Sequence, residues 1–468
     1  MRYVLDARYR LRGWHGAPAG IYDTRRHLAT FVDQALFRLL LRCDATHDIA
    51  LDALTKKELS FLERLLAEGV IRPAGTWDFL LPVQRYLAYP ARYRRNVHWS
   101  ITGSCNLRCR HCFMSAPHAK HGSPSTSELM NVVEQLAECG VFTVTLTGGE
   151  PLIRKDFLDI VDALLAHEIA VSAINTNGWL VDEALLDALE ARGVRPTFMV
   201  SFDGVGCHDF LRGISGAEER TVAALHLLQE RGFDVTASMS IHRGNAHVLG
   251  ETVRTLASLG VSSLKCGPIM ELGEWTDPQL ADLHLSQEEE LELYERYILQ
   301  FFADGAPLSI KMSGAFTYDK DSNTWAISHH RECTADEEDR SLSCPVLGEA
   351  FYLGPDGMVA PCQGMCDTAL AGSLPNLSEH PLREILTESD YVRYSYATVG
   401  DVRRGNDECR TCAYVDRCVP SCRAAALAAG NSYYGVNPDA CFFFKGGWEQ
   451  RISAAAQLAS AMPLPGRS

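Results

Sequence analysis

Residues 105–112 read CNLRCRHC, so that three cysteines fall within a short loop, with three and then two residues between them. An odd, tight cluster of this kind suits no simple disulfide scheme. A mononuclear zinc site would need a fourth ligand, and none follows nearby. An iron–sulfur cube with three thiolate ligands and one open iron fits the spacing better. The open iron would be a place to bind and cleave a small molecule.

A second motif follows at residues 145–151, which read TLTGGEP, a strand pattern that runs into a Gly-Gly-acidic-Pro turn. In this order, the two motifs resemble the radical S-adenosylmethionine (SAM) superfamily. The resemblance implies that Cys105, Cys109 and Cys112 hold a [4Fe–4S] cluster whose fourth iron is chelated by the amino and carboxylate groups of SAM. His111 fills the position of the aromatic residue that usually precedes the last cysteine in that family.

The composition describes a globular chain with ample core, since 46% of its 468 residues are hydrophobic and 22% are charged. This length predicts two to four domains. The net charge of -15 argues against a broad nucleic-acid surface. No apolar run is long enough to cross a bilayer, and the first residues lack an apolar signal core. We therefore expect a cytoplasmic protein.

Sixteen cysteines are unusual for a protein in a reducing compartment, where structural disulfides are disfavoured. Metal or cluster ligation is the better default.

Residues 1–95 are predicted to form a separate winged-helix domain. Strand patterns at 3–14 and 20–26 precede helical patterns at 30–41 and 54–68, and 70–73 with 77–81 would form a small hairpin, the wing. This order resembles the PqqD-like peptide-recognition element, in which a leader peptide adds a strand to a sheet edge. The resemblance implies such an edge among residues 3–26. A DNA-binding winged helix is the alternative.

Residues 96–310 alternate strand and helix patterns six times, which predicts a partial (β/α)6 TIM barrel of the radical SAM type. The predicted strands are 97–102, 143–147, 171–176, 197–202, 234–241 and 263–268. In such barrels the chemistry lies at the C-terminal ends of the strands.

The resemblance implies SAM contacts at these strand ends. The glycine turn would contact the SAM amino group, because a glycine backbone allows close approach. Arg212 suits the SAM carboxylate, because a guanidinium binds a carboxylate through two hydrogen bonds; Arg243 and Asn245 are its rivals. Asp203 would face the cofactor or cap its loop. The full set of expected SAM contacts is Gly148, Gly149, Glu150, Asn175, Ser201, Asp203 and Arg212.

Residues 311–468 carry a second field of cysteines. A Gly357-to-Cys362 hairpin, the run Cys409-x2-Cys412-x5-Cys418-x3-Cys422 and a distant Cys441 resemble the SPASM extension, which carries two auxiliary [4Fe–4S] clusters. The resemblance implies an inner cluster on Cys344, Cys362 and Cys422, with Cys333 as the fourth ligand and Cys366 as its rival. It implies an outer cluster on Cys409, Cys412, Cys418 and Cys441. Two four-thiolate zinc sites are the alternative.

Together these features predict a radical SAM/SPASM enzyme with three [4Fe–4S] clusters that modifies a ribosomally synthesised peptide. It would cleave SAM to a 5′-deoxyadenosyl radical, abstract hydrogen from the precursor and form a crosslink, with a thioether as the leading chemistry. The leader would bind the N-terminal domain, and flavodoxin or ferredoxin would donate electrons. No general base is assigned.

Two alternative functions remain. An anaerobic sulfatase maturase making formylglycine is one, although Gln363 stands where that family typically has an aspartate. A DNA-binding iron–sulfur redox sensor is the other.

Overall fold

The computed structural model describes residues 1–327, 332–420, 422–430 and 432–461. Residues 1–95, here called the N-terminal unit, contain two small sheets and two helices. The elements are β1 (Tyr3–Leu5), β2 (Tyr9–Trp14), β3 (Ala17–Asp23), β4 (Leu28–Phe31), α1 (Gln34–Leu40), α2 (Lys56–Ala67), β5 (Ile71–Pro73) and β6 (Leu87–Ala88). One sheet has the order β4-β3-β2-β6, and β1 pairs with β5 in the other. Buried side chains of both helices, including Phe37 and Phe61, join the sheets in one core.

Helix α2 begins as predicted, because Thr55 and Glu58 form a reciprocal capping box. The predicted wing is wrong. Residues 71–73 pair with β1, and residues 77–81 form no strand. The first helix begins at Gln34 because residues 28–31 continue the sheet as β4 and Asp33 caps the helix.

The predicted free edge among residues 3–26 is also wrong. Strand β2 lies between β3 and β6, and β3 lies between β2 and β4. Strand β1 pairs with β5, and Val4 also bridges to Asp44. Within the described residues, the long open edge of the larger sheet is that of β4, which pairs with β3 alone.

The six predicted barrel strands are confirmed and pair in parallel in chain order. They and the intervening helices are β7 (Asn96–Ser100), α3 (Thr126–Glu138), β8 (Thr143–Thr147), α4 (Phe157–Ala166), β9 (Ala170–Thr176), α5 (Glu183–Ala191), β10 (Thr197–Ser201), α6 (His208–Arg212), α7 (Ala217–Glu230), β11 (Val235–Ile241), α8 (Leu249–Ser258) and β12 (Ser263–Pro268), followed by α9 (Gln287–Ala303). The pattern is typical of a barrel because each strand alternates an outer apolar residue with an inner polar one. Val97 and Trp99, for example, join the core under the helices, whereas His98 does not.

The sheet extends beyond the six strands at both ends. After β12 come β13 (Ser309–Met312), which is parallel, and the antiparallel β14 (Phe316–Asp319) and β15 (Thr324–Ile327). The predicted domain boundary at residue 310 thus falls inside β13. At the other end, β7 pairs in parallel with a strand from the C-terminal third of the chain, residues 350–353. The eleven strands form one open sheet.

The C-terminal third consists of short helices around a hairpin. Its elements are α10 (Pro345–Glu349), β16 (Ala350–Leu353), β17 (Val359–Ala360), α11 (Leu382–Glu388), α12 (Asp390–Ser395), α13 (Val399–Arg404), α14 (Asp407–Arg410), α15 (Arg423–Ala428), α16 (Pro438–Lys445) and α17 (Trp448–Ser460). The predicted hairpin is confirmed, with Gly354 N donating to Met358 O across its turn. Helix α17 packs along α9, where Arg451 pairs with Glu295. In the described part of the chain, no helix is long and apolar enough to cross a membrane.

Candidate SAM and iron–sulfur sites

The cysteine loop leaves β7 and is held against the glycine turn that leaves β8. Gly149 N donates to Thr102 O at 2.8 Å, and Glu150 N donates to Ser104 O at 2.9 Å. A Cβ atom on Gly149 would lie 2.2 Å from Ser104 O, so only glycine permits this approach. The two sequence motifs are therefore parts of one structure at the C-terminal mouth of the barrel.

Helix α6 holds the other side of the cysteine loop. Arg108 N and Arg110 N donate to the carbonyl groups of Arg212 and Leu211, at 3.3 and 2.8 Å. The helix ends at Gly213, whose φ of +70° is in the left-handed region, and a Cβ there would lie 2.1 Å from Arg108 O. The end of α6 thus fixes the path of the loop on both sides of its second cysteine, Cys109.

Each of the three thiols has a nearby donor. Leu107 N donates to Cys105 Sγ at 3.4 Å, and Ala116 N donates to Cys112 Sγ at 3.3 Å. Arg212 Nη1 lies 3.6 Å from Cys109 Sγ. Burial raises the pKa of Cys105 to about 12, while the amide donor opposes this effect. Donors of this kind stabilise thiolates, which are the ligands that an iron–sulfur cluster requires.

Glu150 is fully buried beside this loop. Its carboxylate accepts hydrogen bonds from Asn177 N at 2.7 Å, Thr176 Oγ1 at 2.9 Å and Leu152 N at 3.1 Å. Burial raises the pKa of Glu150 to about 7, and these three donors lower it. The carboxylate is thereby fixed in place at the end of β8, where the resemblance expects the SAM amino group.

Two asparagines lie at the end of β9. Asn175, which was predicted, has a buried Oδ1 atom without a hydrogen-bond partner in the described structure. Asn177, which ends the same strand pattern, donates through Nδ2 to Asn106 Oδ1 in the cysteine loop at 2.8 Å. Its only sequence signal is its position directly after the strand. An unpartnered buried acceptor and a bridge to the loop suit a site that takes a polar ligand.

Asp203 and Arg212 form a buried ion pair, with Oδ2 and Nε 2.7 Å apart. Asp203 Oδ1 also accepts from Ser240 N at 3.0 Å. Burial raises the pKa of Asp203, but the Arg212 charge together with His208 and His111 holds that pKa far below its usual range. Asp203 therefore orients the arginine toward Cys109. Ser201 ends β10 on the inner face of the sheet, next to Ser238 in register.

His111, the residue before the third cysteine, is half-buried in this group, with a buried Nδ1 atom that has no hydrogen-bond partner in the described structure. Burial, followed by the Arg212 charge, lowers its pKa to about 4, so that the imidazole is neutral at physiological pH. The rival residues are used elsewhere. Arg243 pairs with Glu289 at 2.8 Å, and Asn245 Nδ2 donates to the Asp203 and Ser240 carbonyl groups, both at 2.8 Å.

The second cysteine field separates into two groups of thiols. Cys409, Cys412, Cys418 and Cys441 line one small cavity. Cys344, Cys362 and Cys422 form the other group. Burial raises the pKa of Cys362 to about 12, and the charges of Cys422 and Cys344 act in the same direction, which requires these thiols to be near one another. The groups correspond to the outer and inner ligand sets of the prediction.

The fourth ligand of the inner set stays a prediction. Cys333 is buried in a small cluster with Val399 and Val419. Cys366 is also buried, and after burial the charge of Cys362 is the main cause that raises its pKa. Arg423 lies buried between the two groups, where the charges of Cys422, Cys409 and Cys344 all act on its pKa.

All sixteen cysteines are free thiols. In the residues that the structure describes, no three side chains of His, Cys, Asp or Glu lie close enough to hold a single metal ion. The donor chemistry of the thiol groups, together with the unpartnered Asn175 oxygen, fits iron–sulfur clusters and SAM.

Comparison with known families agrees with this geometry. Residues 99–256 match the radical SAM superfamily, and residues 344–413 match SPASM, an iron–sulfur cluster-binding domain. The chain thus carries one region that matches the radical SAM superfamily and a later region that matches the SPASM cluster-binding domain.

Its relatives match different shares of the chain. It is 28% identical to the AdoMet-dependent heme synthase of Methanosarcina barkeri over 357 residues, which cover 74% of this chain and 95% of that protein. It is 34% identical to the mycofactocin maturase MftC of Mycobacterium tuberculosis over 200 residues, 42% of this chain and half of the maturase. The structure of Streptococcus suis SuiB bound to the precursor peptide SuiA shares the fold, with a TM-score of 0.61, 16% identity and coverage of 94% of this chain and 99% of SuiB.

Proposed function

We propose that this protein cleaves SAM reductively and removes hydrogen from a ribosomally synthesised precursor peptide to form a crosslink, with a thioether as the leading chemistry. One observation carries the proposal. The fold follows SuiB over 94% of the chain, which includes the N-terminal unit, and that structure holds a precursor peptide. The similarity to a mycofactocin maturase over 200 residues supports the same class of substrate.

The roles of the mouth residues follow from their contacts. Cys105, Cys109 and Cys112 would hold the SAM-binding cluster, which with SAM supplies an electron and a hydrogen-abstracting radical when bound. Gly148, Gly149 and Glu150 would present backbone and carboxylate groups to SAM. Arg212, oriented by Asp203, would supply positive charge to the SAM carboxylate or to the Cys109 thiolate.

The two further thiol groups would hold two auxiliary clusters, which gives three in all. Cys344, Cys362 and Cys422, with Cys333 or Cys366, would form the inner ligand set. Cys409, Cys412, Cys418 and Cys441 would form the outer one. Clusters can accept the electron that an oxidative crosslink releases, and flavodoxin or ferredoxin would supply electrons for SAM cleavage. A cytoplasmic location suits thiolate ligands.

The N-terminal unit would bind the leader at the open edge of β4. The outer backbone groups of this strand are available because it pairs with β3 alone in the described chain. Leu28 and Phe31, at its two ends, are 42% and 43% exposed and offer apolar contacts to a docked strand. Strand addition at such an edge gives affinity through backbone hydrogen bonds.

Modification of a tetrapyrrole is the second candidate function. The heme synthase alignment covers 95% of that protein and is the most extensive sequence match described above. It leaves about a quarter of this chain unmatched, and the peptide proposal gives a use to the additional N-terminal unit.

Anaerobic reconstitution followed by addition of SAM and dithionite tests the enzyme class. The wild-type protein is expected to form 5′-deoxyadenosine, measured by liquid chromatography. A variant with alanine at Cys105, Cys109 and Cys112 is expected to fall to background. Cys207→Ala, which removes a thiol whose Sγ lies 3.7 Å from Gly244 O, is the matched control and is expected to retain activity.

Substrate class is then tested with peptides encoded by short neighbouring reading frames and with iron coproporphyrin. A loss of hydrogen mass from a peptide supports the maturase. Turnover of the porphyrin alone would favour the second candidate, and intact SAM under strong reductant would contradict both.

A further inference from the structure

The inner face of the barrel sheet carries two lysines that the site above does not use. Lys265 on β12 and Lys311 on β13 are partners in the parallel register of these strands. Their strand neighbours Leu264 and Ile310 belong to the core between the sheet and its helices. Because side chains alternate across a strand, both lysines lie on the opposite, inner face, side by side.

Lys265 also faces the far side of the barrel. Four strands separate β12 from β7, yet the charge of Lys265 adds to burial in lowering the pKa of His98 on β7. The Lys265 side chain is exposed, yet desolvation by its surroundings still lowers its pKa; Lys311 acts in the same direction, and the thiol of Cys422 acts in the opposite one. Lys265 therefore lies where the barrel interior meets the inner auxiliary thiols.

Neither lysine has an anionic partner among the residues that the structure describes. The inner-face residues on neighbouring strands, such as Ser238 and Thr317, are neutral. Asp319 shares this face at the end of β14, but its carboxylate accepts from Ser322 N and Oγ at 2.8 and 2.9 Å and makes no described ion pair with Lys311. Within the described residues, no side-chain carboxylate therefore forms an ion pair with either lysine.

Both lysine side chains are exposed, so desolvation is not what a ligand would relieve; adjacent like charges on paired strands nevertheless repel each other. A carboxylate between the lysines would relieve this repulsion through charge-assisted hydrogen bonds. We propose that Lys265 and Lys311 form a binding site for a substrate carboxylate inside the barrel. The donor would be an aspartate or glutamate side chain or the C-terminal carboxylate of the peptide, an assignment that rests on the proposed peptide substrate.

Glutarate is a suitable probe, because it offers carboxylates without a peptide. Its binding to the reconstituted full chain is measured by ligand-observed NMR. Lys265→Met combined with Lys311→Met is expected to weaken glutarate binding by about tenfold or more, since at least one charge-assisted hydrogen bond is lost. Lys155→Met, which removes an exposed lysine elsewhere, is expected to change nothing, and neutral glutaramide should not bind.

Equal glutarate affinity in the wild type and the double variant would overturn the site. Iron analysis and cluster spectra of the double variant accompany the titration. If the double variant lost auxiliary iron but bound glutarate as the wild type does, the lysines would serve to balance the negative charge of the thiolates near Cys422. That result would also overturn the proposal.

A peptide that the enzyme modifies identifies the donor. Conversion of each acidic side chain to its amide, and amidation of the C terminus, are compared for KM. The responsible carboxylate is expected to show about a tenfold rise in the wild type and little change in the double variant. No effect of any amide would overturn the substrate role. If glutarate binds but no peptide is modified, the site stands and the proposed peptide function fails.

Discussion

Glu290 is a buried carboxyl group on α9, far along the chain from the cysteine loop and only 9% exposed. Burial raises its pKa to about 8, with a smaller contribution from Asp439 and an opposing one from Tyr294. A carboxyl whose folded pKa lies above its unfolded value favours folding at low pH. Its contribution is complete below about pH 4.5 and is lost as the pH rises toward 8.

Replacement of Glu290 by glutamine should therefore remove a pH-dependent cost. We expect Glu290→Gln to raise the thermal unfolding midpoint at pH 8, where ionisation destabilises the wild type by up to about 4 kcal/mol, and to change it little at pH 5. Differential scanning fluorimetry of reduced protein at both pH values measures this. Glu288→Gln, an exposed acid on the same helix, is the control. An equal effect at both pH values would contradict the assignment.

Among individual residues, those that belong to a sequence motif could be predicted. Contacts between residues that are distant in the sequence could not. The spacing of Cys105, Cys109 and Cys112 is itself the signal. The pairing of Asp203 with Arg212 has no such signal in the sequence. An acid and an arginine nine residues apart pair only because α6 turns back toward β10. The pairing of Asn177 with Asn106 could not be predicted either, because Asn106 lies in a different loop.

At the scale of elements, the contact between α6 and the cysteine loop yields a sharp test. Gly213→Ala places a methyl group against Arg108 O and should displace the loop, which lowers both the iron content and the rate of SAM cleavage by about tenfold or more. Gly216→Ala is the matched control, because Gly216 has a similar φ of +82° but no atom within 4 Å of the added Cβ. Both variants carry about 1 kcal/mol of backbone strain, so the difference between them isolates the contact with Arg108 O. Equal activity in the two would contradict the role of α6.

The barrel elements could be predicted closely, whereas those of the N-terminal unit could not. Strands such as β8 and β12 alternate apolar and polar residues between helices with clear ends, so that local pattern and tertiary pairing agree. In the N-terminal unit, residues 71–73 are too short to show their partner, which is the distant β1. Residues 30 and 31 were expected to begin a helix, but they end β4, and α1 starts only after its cap at Asp33.

For the whole molecule, the N-terminal unit and the barrel meet in an aromatic cluster. Trp14 is buried against Phe31, Tyr89, Tyr93 and Phe142, and its Nε1 donates to Gly140 O at 3.1 Å. Nearby, Arg10 Nη2 and Glu168 Oε1 lie 2.7 Å apart across the same interface. These contacts set the position of the N-terminal unit relative to the barrel.

Trp14→Ala should loosen this interface, with a loss of about 3–5 kcal/mol of packing. We expect faster limited proteolysis between residues 74 and 95 and loss of peptide modification, while SAM cleavage without peptide stays near the wild-type rate. Trp77→Ala removes a side chain that is 90% exposed and should leave the proteolysis rate unchanged. Protection equal to the wild type in Trp14→Ala would show that the cluster does not hold the two units together.

The pairing of β7 with β16 has a consequence for biosynthesis. Strand β7 is the first barrel strand to leave the ribosome, yet its outer neighbour, Ala350–Leu353, is translated some 250 residues later. Until then, the backbone hydrogen-bonding groups along that side of β7 lack their native partner strand. An exposed strand edge of this kind can pair with other chains. A nascent polypeptide that stalls before residue 350 should therefore aggregate, and the cell has reason to shield it until the last domain emerges.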